Sequence, residues 1–216
     1  MFTMVATQQD ILNEDELIDE ITRKLSTLCT LSNTYILEGV EPLTYYQKLK
    51  SQLHHICMDI ISLKKRSNSF ADDLKTNAII EGMKEKLYHV IHTLNTLAEE
   101  ETNKQNLFLW KKLCGDYYRN LTVFVPEERD NAQRMYREAL ELSPKCHNND
   151  LYISLILDYS CLLAENYNKY QQAIKICLEL LVDLQSQKTC VMDATSRAYI
   201  SYIKRNIMLW RKQFIQ

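Results

Sequence analysis

The chain has 216 residues, a formal net charge of −2 and 46% apolar residues, enough length and apolar content to bury a real core in one large domain or two small ones. The near-neutral balance removes the reason to expect nucleic acid, whose binders carry a basic surface, and no apolar run reaches membrane-spanning length, so no membrane insertion is expected. Only 3 glycines and 3 prolines occur, and with many Leu, Ile, Lys and Glu residues this predicts long helices joined by short turns.

In chain order, a short helix is expected before Asn13. Asn13 and Glu16 form a capping-box pattern that opens a second helix, with Leu17, Ile18, Ile21, Leu25 and Leu28 inward. Leu17, Ile18 and Ile21 also make an apolar patch that a lone protomer would leave partly wet, which predicts a twofold dimer face. Pro42 opens a long helix with Leu43, Tyr46, Leu49, Leu53, Ile56, Ile60 and Leu63 at helical spacing. The stretch "KKRSNSFADD" ends it, and Ser69 with Asp72 can cap the next helix, which runs to about Glu100.

The helix containing "LCGDYYRNL" follows. It places Leu107, Trp110, Cys114, Tyr117 and Leu121 on one apolar stripe. Lys112, Asp116 and Arg119 form a second line beside it, which taken alone reads as a solvated charged edge. Pro126 suits the first turn of "PEERDNAQRMYREALEL", which stops near Pro144. Asn148 or Asn149 can cap "DLYISLILDYSCLLAEN", and two further helices span roughly 168–186 and 190–214. The total is nine, with no strand signal.

Catalytic patterns are lacking. No glycine-rich phosphate loop, GxSxG elbow or HExxH pair occurs. His89 and His92, at i and i+3, lack a third convergent metal ligand, and Cys114 lies on an apolar stripe, as a buried structural thiol would. The expectation is a protein that is not an enzyme and holds no cofactor or metal. Seven cysteines without a CxxC pair, and an N-terminus without a basic start and apolar signal segment, point to a reducing, cytoplasmic setting. "AQRMYREAL" and "YQQAIKICLELL" look like tetratricopeptide hairpins, but their 34-residue period is not kept along the chain, which leaves a regular repeat array as the runner-up.

Three segments read together carry a more specific likeness. "LCGDYYRNL" resembles the "KGDYYRYLAE" signature of the 14-3-3 family, "RMYREALEL" its "AYQEAFEIS", and "LILDYSCLLAE" its "LALNFSVFYYE". "KRNIMLW" is similar to "RDNLTLW" near the end of that family's last helix, and residues 21–48 align without gaps to its second helix and the start of its third. The segments come in family order and span nearly the whole chain.

This resemblance implies an all-α fold of nine antiparallel helices in a cup-shaped protomer with a concave peptide-binding groove, a single domain over 1–216. About 1–66 would supply dimerisation and the groove floor, and about 104–214 the groove helices. It implies a phosphoserine or phosphothreonine peptide-binding adaptor that regulates client proteins, as a homodimer or as a heterodimer with a related protein. A flexible acidic tail would follow the last helix, whereas this chain ends shortly after Trp210.

Carried over residue by residue, Lys48, Lys112 and Arg119 match groove cations. The tyrosine expected after Arg119 is Asn120, and the two arginines expected after Lys48 are His55 and Asp59; a one-residue shift gives His54 and Met58 instead. Asp158 replaces the first peptide-clamping asparagine, while Asn206 keeps the second. Glu165 and Trp210 match groove residues, and Leu157, Cys161, Ala198 and Tyr202 would form the apolar wall. A family pocket offers three positive charges; Lys48, Arg119 and Asp59 leave one, plus whatever His55 carries. A weakened or altered phosphate pocket is therefore expected. The alternatives are a groove for acidic or unphosphorylated peptides, or a structural helical protein whose groove is occluded.

Overall fold

Eight α-helices occur in the computed structural model, which describes residues 14–38, 40–66, 70–143, 150–186 and 192–213; no strand occurs among these residues. They are α1 (Glu14–Glu38), α2 (Pro42–Arg66), α3 (Phe70–Glu100), α4 (Lys104–Leu121), α5 (Arg129–Leu142), α6 (Asp150–Tyr167), α7 (Tyr170–Ser186) and α8 (Ala194–Lys212). A 3-10 turn at Pro126–Glu128 leads into α5. The helix expected before Asn13, the caps Asn13, Ser69, Asn148 and Asn149, and Pro144 lie outside the described residues, as do the side chains of His54, Ile60, Leu63 and Asp72.

Local chemistry fixes several helix starts. Glu41 accepts from the Thr44 amide and hydroxyl at 2.8 and 3.0 Å, closing the first turn of α2, where the missing N–H of Pro42 costs nothing. Asn103 Oδ1 accepts from the amides of Gln105 and Asn106 to open α4. Asp193 accepts from the Ser196 amide at 2.6 Å to open α8. Each satisfies an amide that the helix itself leaves without a partner.

α4 lies at the centre, packed on α2, α3, α5 and α6. Its Trp110, Cys114, Tyr117 and Leu121 are wholly buried and Leu107 partly so. The Tyr117 hydroxyl donates to the Leu49 carbonyl of α2 at 3.3 Å, and Trp110 meets Tyr45 of α2 edge-on. On the other side, Gly115 lets α5 approach closely. A Cβ at that position would stand 2.6 Å from two ring carbons of Tyr136.

The open patch expected at Leu17, Ile18 and Ile21 is not there. Leu17 and Ile21 are 5% and 0% exposed, and Ile18 is half-buried against the same core. Their spacing marks the inward stripe of α1, which α2 and α3 cover. No described helix is long and apolar enough to cross a membrane.

Candidate functional site

The second line of α4 is no solvated edge. Lys112 is fully buried and Asp116 nearly so, because side chains from three other helices close over them. Tyr46 of α2 sets its ring 5.8 Å from the Lys112 ammonium. Tyr136 of α5 donates its hydroxyl to Asp116 Oδ1 at 2.8 Å. Asp158 of α6 accepts from Lys112 at 2.9 Å, and Asp116 does so at 3.1 Å. A buried ammonium requires this kind of matching, since charge without partners is strongly disfavoured in the interior.

Arg119, two turns further along α4, stands at the outer end of the same cluster. Its guanidinium donates to Asp158 Oδ1 at 3.3 Å and to Glu165 at 3.4 Å, with about a fifth of its side chain (21%) in solvent. The α2 contribution is Lys50, whose Nζ lies 3.7 Å from Asp158 and 3.8 Å from Asp116. It also donates to the Tyr46 hydroxyl at 3.3 Å. Lys50 keeps 31% of its side chain exposed.

The α2 residues expected at this site are not in it. Lys48 and His55 are exposed, and Asp59 pairs with Lys24 of α1 at 2.6 Å. Two residues turn a helix by about 200°, so the stripe carrying Lys48, His55 and Asp59 faces away from α4, while Lys50 shares the face of Tyr46 and Leu53. Sequence reasoning missed Lys50, although its place on the apolar stripe with Tyr46 was a usable signal. Tyr136 was missed as well; its only mark is its position on the inward face of "RMYREALEL".

The remaining expected residues fall into three places. Asn120 turns its amide back onto the Asp116 carbonyl at 2.7 Å, so its donor serves its own helix rather than standing in for the family tyrosine. Leu157 and Cys161 of α6 are buried, and Asn206 of α8 donates to Cys161 Sγ at 3.3 Å. On α8, Ala198 is exposed, Tyr202 is 43% exposed, Asn206 half-buried and Trp210 7% exposed. Burial deepens because each i+4 step overshoots a full turn by about 40°. That line thus winds into the core and is no single continuous wall.

The electrostatics are balanced. Lys50, Lys112 and Arg119 supply three positive charges; Asp116, Asp158 and Glu165 supply three negative ones, so the cluster is formally neutral. Burial alone would pull the Lys112 ammonium down, but the Asp116 and Asp158 carboxylates outweigh it and hold its pKa well above the ordinary value. Burial would likewise raise Asp158, yet Lys112, Lys50 and Arg119 hold its carboxyl well below the usual carboxylate range. Burial and Asp116 push the Tyr136 phenol well up, so it remains a donor.

Nearby thiols are inert for the same reason. Burial pushes Cys114 and Cys161 up to about 12, far from the thiolate that nucleophilic chemistry needs. Among the described residues no group of three His, Cys, Asp or Glu could hold a metal, and His89 and His92 are both exposed. Two surface hollows, of about 680 and 410 Å³, lie along α7 and between α7 and α8, and neither is lined by Lys50, Lys112 or Arg119. Compared with models of known families and with curated proteins, the chain matches none.

Proposed function

We propose that this protein is a peptide-binding adaptor of the 14-3-3 type, which receives a phosphoserine or phosphothreonine of a client between Lys50 and Arg119. The observation that supports this reading is the convergence of three cations, from α2 and α4, on one partly exposed carboxylate of α6. Lys112 lies beneath and fixes the local charge. Lys50 and Arg119 are the cations that solvent, and hence a ligand, can reach. A guanidinium fork beside an ammonium suits a phosphate carrying nearly two negative charges. The client chain would run along α6 and α8, past Asn206 and Tyr202. A cup-shaped protomer, pairing with a second copy and a cytoplasmic setting belong to the same reading.

A specific observation favours a second reading. The cluster is formally neutral, so it has no net positive charge to offset the larger desolvation cost of a phosphate dianion, and an unphosphorylated acidic peptide is the competing ligand. Titration of a labelled phosphoserine peptide against its serine and glutamate twins separates the two. Binding of the phosphopeptide at least about tenfold tighter, a difference of 1.4 kcal/mol, supports the phosphate site. Equal binding of the phosphoserine and glutamate forms supports the acidic-peptide site. Failure of all three peptides to bind contradicts both.

A further inference from the structure

Two carboxylates face Lys112, and their surroundings differ. Asp116 is nearly enclosed. It takes a hydrogen bond from the Tyr136 hydroxyl at 2.8 Å and one from Lys112 at 3.1 Å, and Lys50 stands off at 3.8 Å. Asp158 is more open, with 20% of its side chain in solvent, and it touches all three cations. Its Oδ2 lies 2.9 Å from Lys112 and 3.7 Å from Lys50, while Oδ1 lies 3.3 Å from Arg119.

These contacts are graded. A strong bond between ionised nitrogen and oxygen groups measures about 2.7–2.9 Å. The inner contact to Lys112 meets that standard and the two outer contacts do not. Arg119 is held from a second side by Glu165, seven residues further along the same face of α6, at a similarly long 3.4 Å. The two cations within reach of a ligand are therefore the two that the protein's own carboxylates hold most loosely.

We infer that Asp158 is a resident anion, seated beside the place where Lys50 and Arg119 would receive the acidic group of a bound chain, so that the incoming group competes with it for those two cations. This rests on the adaptor reading above and deepens it. The incoming group takes the two outer cations, while Asp158 keeps its short bond to Lys112 and stays in place. It then lies close to the new anion and repels it. Asp158 consequently sets the affinity of the site, with Glu165 adding a weaker contribution from the rim.

The test is titration of a phosphoserine peptide and its serine twin into the wild-type chain, Asp158→Asn and Glu165→Gln. Asparagine keeps the shape and an oxygen for Lys112, and Asp116 still neutralises that ammonium. Phosphopeptide affinity should rise about tenfold or more in Asp158→Asn and about threefold in Glu165→Gln, with both gains shrinking as salt is added. The serine twin should gain little in either variant. If the wild type binds the phosphopeptide and Asp158→Asn binds it no tighter, the resident-anion inference is overturned and the adaptor reading stands. If neither binds, both fall. Glu165 is 44% exposed and does not touch Lys112, so Glu165→Gln keeps the test decisive should Asp158→Asn fail to fold; unchanged affinity there would count against the competition.

Discussion

Two of the ion clusters that join helices among the described residues are built from the same kinds of side chain but in different surroundings. Between α1 and α2, Lys24 bridges Glu20 at 3.2 Å and Asp59 at 2.6 Å, and Arg23 adds a bidentate grip on Glu20 from a side chain 68% exposed. Between α2, α4 and α6, Lys112 has no exposed surface and is closed in by Tyr46, Tyr136, Asp116 and Asp158. Water still reaches Lys24 and Asp59, which are 22% and 21% exposed, and screens the more open Arg23–Glu20 pair, so these short distances carry only modest free energy. In the second, Lys112 and Asp116 depend on their partners because solvent cannot replace one that is lost. Short distances alone do not identify an important ion pair; burial and the number of fixed partners do.

Removing the buried cation should have the largest effect. Lys112→Met leaves Asp116 and Asp158 facing each other without it and should cost about 3–5 kcal/mol, measured by denaturant unfolding. The pH dependence should change as well. Asp158 has a depressed pKa in the folded state. It therefore adds stability that is fully present above the ordinary carboxylate range and is lost as the pH falls below that range. This acid-side slope should shrink in Lys112→Met.

Tyr136→Phe should cost about 1.5–3 kcal/mol, because Asp116 loses a donor to a charged oxygen that water cannot easily supply. Gly115→Ala should lower stability by about 1–2 kcal/mol: the new Cβ overlaps a buried, anchored ring, and the better helix propensity of alanine offsets only part of the strain. Crowding at this contact should also move the Tyr136 hydroxyl off Asp116. A Gly115→Ala protein as stable as the wild type would mean that α5 can retreat freely.

The α1–α2 cluster, in which no charge is fully buried, should respond least. Asp59→Asn should change stability by less than about 1 kcal/mol and leave peptide binding untouched. Asp59→Arg would set a third cation beside Lys24 and Arg23. It should weaken the α1–α2 contact slightly without improving phosphopeptide affinity, whereas a gain in affinity would return Asp59 to the binding site.

The helices were legible because their signals are local. Pro42 and Pro126 mark starts, and the spacing of Trp110, Cys114, Tyr117 and Leu121 fixes the inner face of α4. The charged line beside that stripe, taken alone, reads as a solvated edge. Nothing within α4 records that Tyr46, Tyr136 and Asp158, 20 to 66 residues away, fold over Lys112 and Asp116. For α2 the difficulty was register: choosing Lys48 instead of Lys50 turns the helix to its opposite side and carries His55 and Asp59 with it. Leu17 and Ile21 show the same limit, since an apolar stripe near a chain end reads alike whether it meets a second copy or its own α2 and α3.

The most direct test of the phosphate reading is a phosphoserine peptide and its serine twin titrated against Arg119→Ala, with thermal unfolding of the same samples. Arg119 is partly exposed and makes only long contacts, at 3.3 and 3.4 Å. The preference for the phosphorylated peptide should therefore be lost while helix content and melting temperature stay close to the wild type. A variant that melts well below the wild type yet retains its phosphopeptide preference would contradict the account, and would make Arg119 a strut between α4 and α6.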